Sequence, residues 1–122
     1  GMKKQLLALA ACFLFATICQ AQQEIKMEDL SKHVGDSVTV CTKIYGGIFL
    51  DRSKGTPTLL NAGASFPNSP LTIVIGPEAR KTFKEAPEVF YKEKNVCISG
   101  KVILYKEKPE IVVYDENQII LK

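Results

Sequence analysis

Tryptophan is absent from this 122-residue chain, and histidine occurs once, as His33. A single histidine rules out a multi-histidine metal centre. It also leaves the serines without a convincing general base, because His33 stands before Gly35 in what reads as a helix end. No Cys-x-x-Cys spacing occurs, so neither a thioredoxin-type motif nor a cysteine zinc cluster is expected. The carboxylates are scattered and nowhere take the spacing of a calcium loop. Gly46-Gly47 is no phosphate loop, since neither Lys-Ser/Thr nor a helix start follows it. Solenoid repeats and low-complexity tracts are missing too. These absences point away from an enzyme, a cofactor or a bound metal. What is present fits one domain of ordinary size. At 46% hydrophobic and 24% charged residues, the chain is globular rather than disordered.

The first residues carry an address. Gly1 precedes Met2 and reads as a cloning remnant. Lys3 and Lys4 form a basic start, Leu6 to Ile18 an apolar run, and Cys19-Gln20-Ala21 places small residues at −3 and −1 of a cut after Ala21. That is the pattern of a secretory signal peptide over residues 1–21. The run is too short to span a bilayer comfortably, so no stable membrane span is expected after cleavage. Leu9-Ala10-Ala11-Cys12 has the form of a lipobox but comes too early in the run. Cys19 lacks the small residue that a lipobox wants before the cysteine. The expected product is therefore periplasmic or secreted, a single domain over residues 22–122.

Removing the leader changes the charge reading. Two of the 16 Lys+Arg leave with it and none of the 13 acids, so 14 cations face 13 anions, a net charge of +1. A strongly electropositive nucleic-acid binder is not what this balance suggests, although a local patch is compatible with it. Cys41 and Cys97 are the cysteines left, in a compartment where a disulfide is allowed.

Short apolar alternations organise the rest. Residues 25 to 33 suggest a short helix or packed turn. Ser37 to Tyr45 alternates with Val38, Val40 and Ile44 on one face, which is a strand that Gly46-Gly47 breaks or bends. Thr58 to Asn61 and Leu71 to Ile75 are a second and a third strand, separated by breaker-rich loops. Residues 78–91 read as a helix that Pro87 splits or kinks. Val96 to Tyr105 and Glu110 to Tyr114 are two further strands around the turn Lys106-Glu107-Lys108-Pro109, and Gln118 to Leu121 is a last short one.

Three strands, a helix and a β-hairpin form the order of an OB-fold barrel: all-β, five-stranded and Greek-key, with one helix between strands three and four. Particular residues carry the likeness. His33-Val34-Gly35-Asp36-Ser37-Val38-Thr39-Val40 resembles the entry into the first strand of many bacterial OB domains. Val96-x-Ile98-x-Gly100-x-Val102, followed by Tyr105, Lys108-Pro109 and Glu110-Ile111-Val112-Val113, looks like their last hairpin. The closing Gln118-Ile119 is similar to OB domains of the transfer-RNA-anticodon-binding and nuclease-associated kind. The resemblance spans Lys32 to Lys122. It implies a binding module for single-stranded nucleic acid or oligonucleotides, with a secreted nuclease or another envelope protein as a possible partner. OB barrels also bind proteins and saccharides, so a protein-interaction or envelope-stress module, or an oligosaccharide or small-ligand binder, are the alternatives.

That resemblance also points to candidate site residues, because OB ligands cross the second and third strands between two flanking loops. The first loop would offer Tyr45, Phe49, Arg52 and Lys54, with Lys43 nearby. The second strand and its exit would offer Asn61, Phe66 and Asn68. The last hairpin would offer Tyr105, Lys106 and Lys108. Aromatics stack on bases and cations follow phosphates. Each assignment has a plainer counterpart. Phe83 and Phe90 read as core, and Phe49 and Phe66 either plug the barrel or lie on it. The tyrosine hydroxyls equally suit turn anchors, and the lysines of residues 81–94 alternate with Glu85, Glu88 and Glu93 as on a solvated helix face. Cys41 and Cys97 fall out of phase with the apolar residues of strands that neighbour each other in an OB barrel. They form either a bridge or two reduced, half-buried thiols. Nucleic-acid binding requires Lys43, Arg52, Lys54, Lys106 and Lys108 gathered on one face with exposed aromatics. A protein partner requires an apolar patch, and a saccharide an aromatic platform with Asn and Asp.

Overall fold

The computed structural model describes residues 23–122. The leader, its cut after Ala21 and the lipobox cysteines lie outside the described residues. The chain begins with β1 (Gln23–Glu24) and a 3-10 helix, Met27–Lys32, that buries Leu30. Three strands follow: β2 (Ser37–Phe49), β3 (Thr58–Ala62) and β4 (Leu71–Ile75). Two short helices, α1 (Pro77–Arg80) and α2 (Pro87–Phe90), lead to the hairpin β5 (Asn95–Tyr105) and β6 (Lys108–Val113). A 3-10 turn at Glu116–Gln118 and β7 (Ile119–Leu121) close the chain.

Five of these strands make a closed barrel. β2 pairs antiparallel with β3, β3 with β4, β6 with β5, and β5 with β2, while β4 and β6 run parallel. That is the OB-type arrangement the sequence suggests. β1 lies beside β2 and β7 beside β5, extending the sheet on either flank. Alternation explains which side chains go inside. Val38, Val40 and Ile44 of β2 point inward, as do Leu60, Leu71, Ile73, Ile75, Val96, Ile98, Val102, Ile111 and Val113. All are essentially inaccessible, and each fully buried aliphatic side chain contributes about 1.5–3 kcal/mol.

Three sequence expectations change in detail. The expected single helix is two four-residue helices, because Pro87 cannot continue the first and instead opens the second. β2 does not stop at Tyr45 but runs through Gly46-Gly47 to Phe49, so Phe49 lies on the strand rather than in a loop. The last turn is only Lys106-Glu107, both with positive φ as a two-residue hairpin requires, and Pro109 sits within β6.

The Gly pair lets one long strand serve both halves of the barrel. The register of β2 against β3 slips between Ile44 and Gly46, a bulge that bends the strand. Gly46 holds φ at +149°, and a Cβ on Gly47 would run into the Leu59 carbonyl oxygen. Gly47→Ala is therefore expected to destabilise the fold by about 1–3 kcal/mol, read as a fall of several degrees in thermal midpoint. An unchanged midpoint would show that the close approach carries no weight.

β2 and β5 also place Cys41 directly opposite Cys97, and a disulfide joins them on the outer side of the barrel. Two rungs away Thr39 Oγ1 and Ser99 Oγ lie 2.8 Å apart in a hydrogen bond. The bridge spans a sequence separation of 56, for which loop-closure entropy gives about 4 kcal/mol. Replacing both cysteines by serine is expected to lower unfolding free energy by that amount with the barrel spectrum retained. A loss well under 1 kcal/mol would contradict the estimate.

Candidate functional site

An OB barrel carries its ligand across its second and third strands, here β3 and β4, and the same outer surface continues onto β2 and β6. Side chains that alternate with the core build it. Ile48, Leu59, Val74 and Val112 stand in register across the four strands and form an apolar row. Two rungs away, on the same outer face, lie Gly46, Asn61, Thr72 and Glu110. Beyond β3 the loop 63–70 carries Phe66, 78% exposed, ahead of a cis Phe66–Pro67 peptide. Gly47, Ile48, Leu50, Leu59, Asn61 and Phe66 enclose a trough of about 420 Å³. Asn61 is its polar group. Its side-chain oxygen accepts a long 3.5 Å hydrogen bond from Ser69, and its amide nitrogen has no partner among the described residues.

The charges are arranged differently from the sequence expectation. Lys43 is engaged by Glu93 at 2.9 Å, a contact that raises its pKa, and it lies 5.0 Å from the Tyr45 ring centre. Both are therefore occupied with each other rather than with the trough. Phe49 is covered by the Arg80 guanidinium, 3.7 Å from its ring centre, so it offers that face to no ligand. Arg52 and Lys54 are exposed in the loop 50–57 and form no ion pair among the described residues. Lys106 lies 5.4 Å from the Tyr105 ring centre on the β5–β6 hairpin, with Lys108 beside it. Register places these two groups apart. The loop 50–57 adjoins the Phe49–Thr58 end of the face, and the hairpin adjoins the Ala62–Leu71 end. Cations thus bracket an apolar face instead of gathering upon it.

Two features escape a sequence reading. Glu110 has no partner among the described residues, and burial pushes its carboxyl pKa up. Its position out of phase with Ile111 and Val113 was the available signal. Arg80 carries no such signal, because its partners are distant in sequence. Its Nη1 donates to Thr58 Oγ1 at 2.7 Å and to Glu88 Oε1 at 2.8 Å, and Nη2 donates to Glu88 Oε2 at 3.2 Å. Glu88 is thus no part of a solvated face. It ties α2 through Arg80 to β3 and to the Phe49 end of β2. His33, the residue excluded above as a base, pairs with Asp36 at 3.2 Å. No cluster of His, Cys, Asp or Glu among the described residues is arranged to hold a metal. No helix among them is long and apolar enough to cross a membrane.

No family model matches the chain, and no curated protein matches it in sequence. Solved structures do resemble it. One is the "crystal structure of a putative aspartyl-tRNA synthetase from Leishmania major Friedlin", at a TM-score of 0.51 and 13% identity over 97% of this chain. This chain spans only 26% of that one. The likeness is one of fold, and it agrees with the OB-type barrel that the strand pairing establishes.

The Arg80–Glu88 pair yields a pH prediction. The hydrogen bond from Arg80 outweighs burial and holds the Glu88 carboxyl below its ordinary value of 4.5. A depressed acid stabilises the fold above that ordinary value and loses the contribution as pH falls through the folded one. Thermal midpoints should therefore drop on acidification below pH 4.5 more steeply in the native protein than in Glu88→Gln. Equal slopes in the two would contradict the assignment.

Proposed function

We propose that this chain is a non-catalytic, exported binding module that takes single-stranded nucleic acid or a short oligonucleotide across the outer face of β3 and β4. The observation that carries the reading is the trough beneath Phe66. Its apolar walls, Ile48, Leu50 and Leu59, suit the flat face of a base, Phe66 is exposed enough to stack, and Asn61 can bond a base edge. Arg52 and Lys54 at one end and Lys106 and Lys108 at the other suit phosphates on either side. The likeness to a chain described as a tRNA synthetase leans the same way. Binding is expected to be weak, because the cations are few and Glu110 opposes them on the face itself. A second reading rests on the apolar row from Ile48 to Val112 with its lone carboxylate. Those features suit a protein segment with apolar side chains and a cation.

Fluorescence anisotropy with labelled single-stranded DNA and RNA, at low and then physiological salt, distinguishes the two. The nucleic-acid reading predicts saturable binding that weakens as salt rises. Phe66→Ala should weaken it by about five- to a hundredfold. Arg52→Ala should weaken it for all sequences and reduce the salt slope by about one. Absence of binding at low salt, or full retention by Phe66→Ala, would overturn the proposal in favour of a protein partner.

A further inference from the structure

A second cavity lies away from the barrel's outer face, where the helical connection meets the turn before β7. Phe83, Lys84, Glu85, Phe90, Tyr91 and Glu116 enclose about 280 Å³. Its walls are fixed from two sides. The Lys84 backbone N–H donates to Glu116 Oε2 at 3.0 Å, and the Glu116 N–H donates to Thr82 Oγ1 at 2.9 Å. The Asp115 side chain accepts from the Asn117 N–H and caps the turn beneath them. Tyr91 stands perpendicular to both phenylalanines, at interplanar angles of 89° to Phe83 and 87° to Phe90.

Two rings set perpendicular to a third bring π faces and ring edges to one place, and a cation is drawn to such faces. Phe90 already attracts one. The Lys94 ammonium, outside the cavity lining, sits 3.7 Å from its ring centre. The lining includes two acidic residues, Glu85 and Glu116, and one lysine, Lys84. The Tyr91 ring is buried, yet its hydroxyl hydrogen-bonds to none of the described residues and is not fully buried. Burial, and to a lesser degree the Glu116 charge, raise the Tyr91 pKa.

We propose that this cavity binds a small alkylated ammonium cation, with the partly buried Phe83 and Phe90 rings beside the charge, the buried Tyr91 ring holding them in place, and Glu116 as its counter-ion. The site is independent of the face proposed for oligonucleotides. Methylated lysine and choline-type headgroups share the required chemistry. The test is an NMR titration of the ¹⁵N-labelled protein with choline, with Nε-trimethyl-lysine, and with 3,3-dimethylbutan-1-ol, the neutral carbon analogue of choline. Saturable shifts at residues 83–91 and 116 are expected from at least one cation, and the tighter of the two names the source. The neutral alcohol should bind roughly tenfold more weakly. Glu116→Gln keeps an acceptor for the Lys84 N–H, and Phe83→Leu keeps apolar bulk, so both should preserve the native spectrum. Each should weaken cation binding about three- to tenfold. Equal affinity for the neutral alcohol, unchanged affinity in both variants, or no saturable shift at these residues overturns the proposal.

Discussion

β2 has to serve two neighbours in succession. Its first half pairs with β5, from Ser37 to Lys43, and its second half pairs with β3, from Ile44 to Phe49. A straight strand would leave the barrel open. The slip after Ile44, the +149° φ of Gly46 and the Gly47 backbone lying against Leu59 turn it between the two partners. The other features follow from that turn. It closes the core around Ile44 and Leu60, brings Cys41 opposite Cys97, and lifts Ile48 onto the outer face where the trough forms.

Strand identity was legible because half-buried strands write their burial into a two-residue alternation. Val38, Val40 and Ile44 show it, as do Leu71, Ile73 and Ile75. The extent of β2 was not legible, since a Gly pair reads locally as a stop and only the proximity of β3 makes it a bend. Phe49 was misplaced for that reason. Pro87 signalled the split of the helical segment through its missing N–H. The fate of the charges was the least legible part. Lys43 meets Glu93 and Arg80 meets Glu88, and one-dimensional spacing does not show either pairing.

The face that results is apolar in the middle and basic at its ends. Trough residues come from β2, β3 and the loop around Phe66, so their positions depend on barrel closure. Arg80 secures the rim nearby. It stacks on Phe49, bonds Thr58 and clamps Glu88, which anchors both short helices over one end of the barrel. A site built on paired strands is held more firmly than one built on loops, and here only Phe66, Leu50, Arg52, Lys54 and Lys106 belong to loops or turns. A ligand with flat apolar surfaces and separated negative charges fits that layout better than a uniformly charged one.

The central claim is that this outer face, and the trough in particular, is where the protein meets its ligand. Titrating the ¹⁵N-labelled protein with a short single-stranded oligothymidylate and mapping amide shifts tests it most directly. The account predicts shifts concentrated at Ile48, Leu59, Asn61 and Phe66, with smaller ones at Arg52 and Lys108. Shifts centred instead on the opposite surface, around the Cys41–Cys97 bridge and Ile120, would contradict it.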